Sequence, residues 1–237
     1  MFQVHAISKR YGELAALSGV SFHVRAGEVL GLIGPNGAGK TTLFECLAGL
    51  LPCDAGTLRI AGRPATASER RNLLFYVPDT IAPWGAQRLA WAIDYALGFF
   101  GGRRDLREEI TAQLDLGPLL HRPIAALSKG QRKRAMLGIG LLAPQPALLI
   151  DEPFEGLDLR QTREVAAALR VHAARGRTLF LSIHQIADAG RICDRLVLLS
   201  GGQVRGEGTV AELAAQAAAR GAAGALDSLE EVFLALT

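Results

Sequence analysis

Four short apolar runs constrain the fold of this chain more than any other feature. They cover residues 29–33, 147–150, 179–183 and 196–199, and none of them alternates polar with apolar residues. Strands that are covered by helices on both faces have this continuous apolar character, whereas strands with one face in solvent alternate. The pattern therefore predicts an α/β fold with a mostly parallel sheet.

Three further segments are extended in character: 2–7, 19–24 and 57–60. The third runs into a turn, and together they are predicted to form a small antiparallel β subdomain beside the main sheet. The chain has 237 residues, of which 49% are hydrophobic, so it is long enough to bury a substantial core. We expect one domain that spans residues 1–237.

Two regions have helical character. Residues from about 86 to 145 are expected to form an inserted helical lobe. Its aromatic residues are expected in ordinary core packing, and they are Trp91, Tyr95, Phe99 and Phe100. The second region, about 209–237, contains an Ala-rich stretch over 211–225, and a capping-box pair follows it, Ser228 with Glu231. Two C-terminal helices are predicted there.

The residues after the first apolar run match the pattern GxxxxGK[ST] and lead into a helical run over 42–47. Glycines let backbone N–H groups turn toward a phosphate, and the positive end of the following helix adds to the attraction. Lys40 is placed to reach β- and γ-phosphates, and the Thr41 hydroxyl to ligate Mg²⁺. The pattern predicts a nucleotide-binding loop, the alternative being a chance glycine-rich turn. Its residues are Gly34, Pro35, Asn36, Gly37, Ala38, Gly39, Lys40 and Thr41, with Thr42 next.

Two carboxylates, Asp151 and Glu152, directly follow the second apolar run. Open α/β sheets bind their ligands at the carboxyl ends of the strands. Asp151 is therefore predicted to hold Mg²⁺, directly or through water, and Glu152 to orient and deprotonate an attacking water. For the pair taken alone, an acidic loop after a core strand is the alternative.

His184 follows the third apolar run and is expected at the same edge of the sheet. A neutral imidazole there can hydrogen-bond a γ-phosphate oxygen and the attacking water, so His184 is predicted to be catalytic together with Glu152 and Lys40. A structural histidine is the alternative. The other four histidines do not follow an apolar run in this way.

A sequence upstream of the carboxylates, Leu127-Ser128-Lys129-Gly130-Gln131, precedes a predicted helix over 132–142. It resembles the signature sequence of ABC ATPases, and the order of phosphate loop, signature, Asp-Glu pair and histidine matches that family over nearly the whole chain. The resemblance implies a P-loop NTPase core in which Ser128, Gly130 and Gln131 contact nucleotide bound to the opposite subunit of a dimer. Gly156-Leu157-Asp158 resembles the D-loop at the same dimer seam.

Three positions remain open under this resemblance. Tyr11 aligns with the aromatic residue that stacks on adenine, and a buried tyrosine at a strand end is the alternative. Lys129 replaces a glycine of the common signature and either neutralises phosphate charge or points to solvent. Asp79, in Tyr76-Val77-Pro78-Asp79, stands where the family has the Q-loop glutamine. It is either a Mg²⁺ ligand, possibly through water, or a solvated turn residue.

The resemblance implies a subunit that binds ATP and Mg²⁺, dimerises around two nucleotides and drives a separate permease of the ABC-2 type, with export preferred. A regulatory module with little turnover and a soluble ABC ATPase acting on nucleic acid are the rivals. The net charge of +3 does not indicate a nucleic-acid partner, and we expect none. No apolar stretch reaches the ~20 residues that a membrane span needs. The chain is expected in the cytoplasm, at the inner face of the membrane through its permease.

Overall fold

A six-stranded sheet forms the centre of the computed structural model, which describes residues 1–79, 83–220 and 228–237, without the side chains of residues 187 and 188. Its strand order is β10-β9-β3-β8-β7-β6. The strands of the chain are β1 (Phe2–Tyr11), β2 (Leu14–Val24), β3 (Val29–Ile33), β4 (Ala55–Ile60), β5 (Arg63–Pro64), β6 (Leu74–Val77), β7 (Ala147–Ile150), β8 (Thr178–Ile183), β9 (Arg195–Ser200) and β10 (Gln203–Gly208).

The central sheet is parallel except at one edge. β3 pairs in parallel with β8 and β9, and β7 pairs in parallel with β6 and β8, whereas β9 and β10 are antiparallel. The carboxyl ends of β3, β8, β7 and β6 therefore meet at one edge, in that order. The predicted α/β fold with a mostly parallel sheet is confirmed.

The two faces of this sheet belong to two separate apolar clusters. Along β8, Leu179, Leu181 and Ile183 face one cluster, and Phe180 faces the other. Every residue of β3, β7 and β8 is buried, which explains why these strands read as continuous apolar runs.

The smaller sheet has the order β2-β1-β4-β5 and is antiparallel throughout. The backbone N–H of Ser18 donates to the carbonyl of Gly202 at 2.8 Å, beside the β9–β10 hairpin of the central sheet. The side chain of Arg195 also bridges the two sheets, because it pairs with Glu207 and donates to the His23 carbonyl at 3.4 Å. The predicted extended segments correspond to β1, β2 and β4.

The helices are α1 (Lys40–Ala48), α2 (Ala67–Leu73), α3 (Leu89–Phe100), α4 (Arg107–Gln113), α5 (Lys129–Leu142), α6 (Leu159–Ala174), α7 (Ile186–Ile192), α8 (Val210–Ala219) and α9 (Leu229–Leu236). Between β6 and β7 the chain forms α3, α4 and α5, in the region where a helical lobe was predicted. No helix in the described ranges is both long and apolar enough to cross a membrane.

Some element boundaries differ from the sequence predictions. The helix predicted over 132–142 begins at Lys129, because Ser128 and Gln131 form a capping box that starts it one turn earlier. The short strands β5, β6 and β10 were not predicted. Two C-terminal helices are present, but residues 221–225 of the predicted Ala-rich stretch lie outside the described residues.

The prediction that the aromatic residues of the helical region lie in the core is wrong for three of them. Trp91, Tyr95 and Phe99 are 42%, 42% and 70% exposed. Their spacing of four residues places them on one face of α3, and their rings stack at 5.0 and 5.9 Å between centroids. The opposite face of α3, which includes Leu89, Ile93 and Leu97, is the buried one.

Candidate functional site

The loop between β3 and α1 carries the residues of the predicted phosphate site. Gly39 has φ +102°, and a Cβ on it would lie 2.5 Å from the carbonyl oxygen of Ala16. A Cβ on Gly34 would lie 2.3 Å from the carbonyl oxygen of Leu199. Both positions therefore require glycine for close backbone packing, and the loop leads directly into the N-terminus of α1, whose free N–H groups suit an anion.

Lys40, the first residue of α1, is only 7% exposed. Its Nζ donates to the carbonyl oxygens of Gly34 at 2.8 Å and Pro35 at 3.3 Å. The same nitrogen lies 3.7 Å from Oε1 of Glu152. The structure thus brings the predicted lysine of the phosphate loop next to the predicted catalytic carboxylate.

Asp151, at the carboxyl end of β7, is 3% exposed and accepts three side-chain hydrogen bonds. Oδ2 accepts from the Thr41 hydroxyl at 2.8 Å and from the Tyr76 hydroxyl at 3.3 Å. Oδ1 accepts from the Ser182 hydroxyl. Burial and the negative Asp151 raise the pKa of Tyr76, so its phenol remains a proton donor to this carboxylate.

Glu152 is held in an unusual backbone conformation. Its φ is +48°, a region that non-glycine residues rarely adopt and that is often found at functional sites. Its N–H donates to the Ser182 hydroxyl at 2.9 Å, and its Oε2 accepts from the backbone N–H of His184 at 3.1 Å. Burial raises the pKa of Glu152, although the nearby Lys40 partly opposes this. A raised pKa makes this carboxylate a better proton acceptor.

These residues line one cleft of about 1030 Å³. Tyr11, Asp151, Glu152 and His184 are all among the residues that line it. Tyr11 is 48% exposed, so the alternative of a buried tyrosine is wrong. The His184 side chain is exposed on the cleft wall. The predicted site residues that line the cleft are Tyr11, Pro35, Asn36, Gly37, Ala38, Gly39, Lys40, Thr41, Thr42, Asp79, Asp151, Glu152 and His184.

The donor set of the cleft fits a magnesium nucleotide. Thr41 Oγ1 and Asp151 Oδ2 are hard oxygen atoms that lie 2.8 Å apart, beside the phosphate loop. Within the described ranges, no three His, Cys, Asp or Glu side chains converge into a metal cage. Mg²⁺ in phosphate-transfer sites commonly uses one or two protein oxygens, with phosphates and water as the other ligands. These residues match that arrangement.

Asp79 lies just beyond the carboxyl end of β6 and its carboxylate forms an ion pair with Lys133 of α5. The Lys133 side chain is 3% exposed and that of Asp79 is 21% exposed. Asp79 is therefore paired with a buried lysine, which the sequence did not suggest. It is not a freely solvated turn residue. Its predicted role as a Mg²⁺ ligand stays a prediction.

The signature residues, together with Gly34, are the predicted site residues that do not line this cleft. Ser128, Gly130 and Gln131 are absent from the described residues that line it. Gln131 N–H donates to Ser128 Oγ at 3.2 Å, and Ser128 N–H donates to Gln131 Oε1 at 3.0 Å. Gly130 packs against the D-loop segment, where an added Cβ would lie 2.7 Å from the Gly156 carbonyl oxygen. The signature thus forms a capped helix start that packs against Gly156 of the cleft wall but does not itself line the cleft.

Lys129 in the signature pairs with Glu155 of the D-loop region, with Nζ 2.5 Å from Oε1. The two side chains are 62% and 47% exposed. The Lys129 ammonium is thus at the surface and already paired with a carboxylate. This contact does not decide between the two alternatives, phosphate neutralisation and exposure to solvent.

Three residues of the site were missed from the sequence: Ser182, Tyr76 and Lys133. Ser182 interrupts an apolar run, and a hydroxyl inside a buried strand needs a partner, so this signal was available. Tyr76 stands in the segment that was singled out for Asp79. Lys133 gave no local signal, because its partner lies 54 residues away in the chain.

Comparison with known proteins gives a consistent family. The family model described as ABC transporter matches residues 17–155. The chain is 33% identical to Nod factor export ATP-binding protein I of Ralstonia nicotianae over 225 residues, which is 90% of this chain and 68% of that protein. It is 36% identical to hemin import ATP-binding protein HmuV of Streptomyces coelicolor, covering 86% of this chain and 76% of that protein. A solved ATP-binding subunit of an ABC transporter has a TM-score of 0.86 and 30% identity, covering 100% of this chain and 99% of the other.

Proposed function

The chain belongs to the ABC transporter family and is an ATPase of that family, and we propose that two copies close around two Mg-ATP to drive a separate membrane permease. The observation that carries this proposal is the convergence of Lys40, Thr41, Asp151 and Glu152 in one cleft. Thr41 and Asp151 are hydrogen-bonded at 2.8 Å, and Lys40 lies 3.7 Å from Glu152.

Each residue has a role that follows from its chemistry. The phosphate-loop N–H groups and Lys40 hold the phosphates, while Thr41 and Asp151 would hold Mg²⁺. When bound, Mg²⁺ neutralises charge on the phosphate oxygens. Glu152 orients a water molecule and accepts its proton, which its raised pKa favours. His184 donates a hydrogen bond to a γ-phosphate oxygen, and Ser182 fixes Asp151 and Glu152 relative to one another.

A second copy of the chain is needed to complete the site. The signature helix start offers N–H groups and a positive helix end, which suit a γ-phosphate. In its own chain this helix start packs against the cleft wall at Gly156 but does not line the described cleft. We therefore assign Ser128, Gly130 and Gln131 to the nucleotide of the partner subunit, in an arrangement called here the shared site. Tyr11, exposed on the cleft wall, stacks on the adenine.

The permease partner places the protein at the inner face of the membrane. The helical region between β6 and β7, about residues 86–145, and the C-terminal helices are proposed as parts of the same domain that spans 1–237. We propose a permease of the ABC-2 type, because the C-terminal segment 227–237 resembles that of stand-alone subunits that pair with such permeases, and export as the direction of transport. Among the relatives, one is named for Nod factor export and another for hemin import, so the direction needs its own measurement. Co-expression with a candidate permease and transport in sealed vesicles would establish it.

The proposed chemistry is tested with Glu152→Gln. This change keeps the shape of the side chain but removes the proton acceptor, so kcat should fall by about 10²–10⁴-fold while ATP binding is retained. Phosphate release by the purified chain with Mg-ATP measures the first quantity, and equilibrium ATP binding the second. Glu108→Gln is the matched control, because Glu108 is exposed on α4 and outside the cleft, and it should keep wild-type turnover.

Lys40→Ala separates phosphate binding from catalysis, because it should lose ATP affinity itself. Wild-type affinity in Lys40→Ala would contradict the phosphate site, and wild-type turnover in Glu152→Gln would contradict the proposed base. A wild-type chain that binds ATP without turnover would favour the regulatory module. If Asp79→Gln then hydrolysed ATP, Asp79 would be the residue that suppresses turnover in wild type.

A further inference from the structure

Lys133 is a buried cation that the proposed chemistry does not use. It lies on α5, one helical turn after Lys129, and its side chain is 3% exposed. The ammonium forms an ion pair with the Asp79 carboxylate. It also donates to the Asp79 carbonyl at 3.4 Å and to the Asp151 carbonyl at 3.3 Å. One side chain thus joins the signature helix to the carboxyl ends of β6 and β7.

The charge of Asp79 makes this contact important for the nucleotide. Asp79 lines the same cleft as Thr41, Asp151 and Glu152, so a free carboxylate there would add a negative charge close to a triphosphate. With Lys133 beside it, the pair has no net charge. A buried ammonium also requires its partners, since removing one member of a buried pair leaves an uncompensated charge.

We propose that Lys133 is a positioning residue for ATP hydrolysis, which neutralises Asp79 and holds the ends of β6 and β7 at a fixed position on the signature helix. The inference deepens the proposed function and rests on its nucleotide cleft. It assigns the Asp79 carboxylate to Lys133, in contrast to the prediction that Asp79 ligates Mg²⁺. Since α5 begins with the signature, the contact links the chain's own metal-binding carboxylate to the surface that meets the partner's nucleotide.

The test compares two single variants that break the same contact with opposite electrostatic consequences. Lys133→Gln leaves a carboxylate facing the cleft, whereas Asp79→Asn leaves an ammonium. Binding of the non-hydrolysable analogue adenylyl imidodiphosphate with Mg²⁺ should weaken on the order of tenfold in Lys133→Gln and stay within about twofold of wild type in Asp79→Asn. A purely structural role would weaken binding equally in both variants, and that result would overturn the proposal.

Kinetics and stability of the same variants test the positioning. Lys133→Gln should lower kcat on the order of tenfold or more, because small misplacement of catalytic groups is costly. The double variant Asp79→Asn with Lys133→Gln replaces the pair by two amides and should recover kcat to within about threefold of wild type. In the nucleotide-free chain, Lys133→Gln should lower the melting temperature by about 5–10 °C, and the double variant should restore most of it. Arg103→Gln removes a cation from an exposed pair and is the control.

The Mg²⁺ requirement separates this role from metal ligation. If Asp79 is committed to Lys133, the Mg²⁺ concentration for half-maximal turnover should stay within about twofold of wild type in Asp79→Asn. A tenfold higher requirement, or a double variant no better than Lys133→Gln, would contradict the inference. The nucleotide cleft itself is tested separately by Lys40→Ala. If that variant binds ATP as tightly as wild type, the proposed cleft is wrong, whatever the Lys133 and Asp79 variants show.

Discussion

Ser182 is the residue that couples the two predicted carboxylates. Its hydroxyl donates to Asp151 and accepts from the backbone N–H of Glu152, and it is fully buried on β8. Because Glu152 has a positive φ, this contact helps to hold a backbone conformation that would otherwise be unfavourable. Glu152, the proton acceptor of the proposed reaction, follows β7 and is therefore also positioned by the neighbouring strand β8.

The stability of the fold should depend on pH through a residue remote from the cleft. His172 on α6 is 3% exposed, its Nε2 has no hydrogen-bond partner, and burial lowers its pKa to about 4. The unfolded chain takes up a proton near pH 6.5, whereas the folded chain does so only near pH 4, so stability is lost as pH falls between these values. The loss should reach at most about 3 kcal/mol across this window.

Urea unfolding of wild type and His172→Leu at pH 7 and at pH 4.5 measures this effect. His172→Leu should show a smaller loss on acidification, while His121→Gln, at an exposed position, should keep the wild-type loss. Identical pH dependence in wild type and His172→Leu would show that this histidine does not contribute.

At the scale of elements, the phosphate loop depends on the close approach between Gly39 and β2. Gly39→Ala would place a Cβ 2.5 Å from the Ala16 carbonyl oxygen at φ +102°, so the loop must move. We expect the free energy of unfolding to fall by about 2 kcal/mol or more, together with weaker ATP binding. Gly62→Ala is the matched control, because Gly62 also has a positive φ, +78°, but nothing lies within 4 Å of an added Cβ. It should cost only about 1–2 kcal/mol and leave ATP binding unchanged.

Denaturant unfolding and equilibrium ATP binding measure both variants. Equal ATP affinity in Gly39→Ala and wild type would mean that the loop adapts without disturbing its N–H groups.

The sequence predicted those elements whose pattern is local. The buried runs of β3 and β7 were located to the residue, since continuous apolar character follows from burial on both faces. The buried face of helix α3 could not be predicted, because the helix carries apolar residues all round. Nothing in its periodicity says that Trp91 and Tyr95 are on the exposed face. The Asp79–Lys133 pair could not be predicted either, since pairing across 54 residues depends on the assembled fold.

At the scale of the whole molecule, the order of strands in the sheet assembles the site. β3, β8, β7 and β6 are neighbours, so the phosphate loop, His184, the Asp151-Glu152 pair and Asp79 come to one edge although up to 150 residues separate them. The signature lies at the start of a helix that packs against this edge through Lys133, and its residues do not line the described cleft. The shared site proposed above therefore requires that the cleft of one copy combines with the signature of another.

The most direct test of the shared site is the mass of the Glu152→Gln variant in solution, measured by sedimentation velocity with and without Mg-ATP. We expect a single copy without nucleotide and a dimer with Mg-ATP, since binding is retained and turnover is blocked. Lys40→Ala is the control and should remain a single copy under both conditions, because it cannot hold the nucleotide. A Glu152→Gln chain that binds Mg-ATP to saturation and remains a single copy would contradict the shared site.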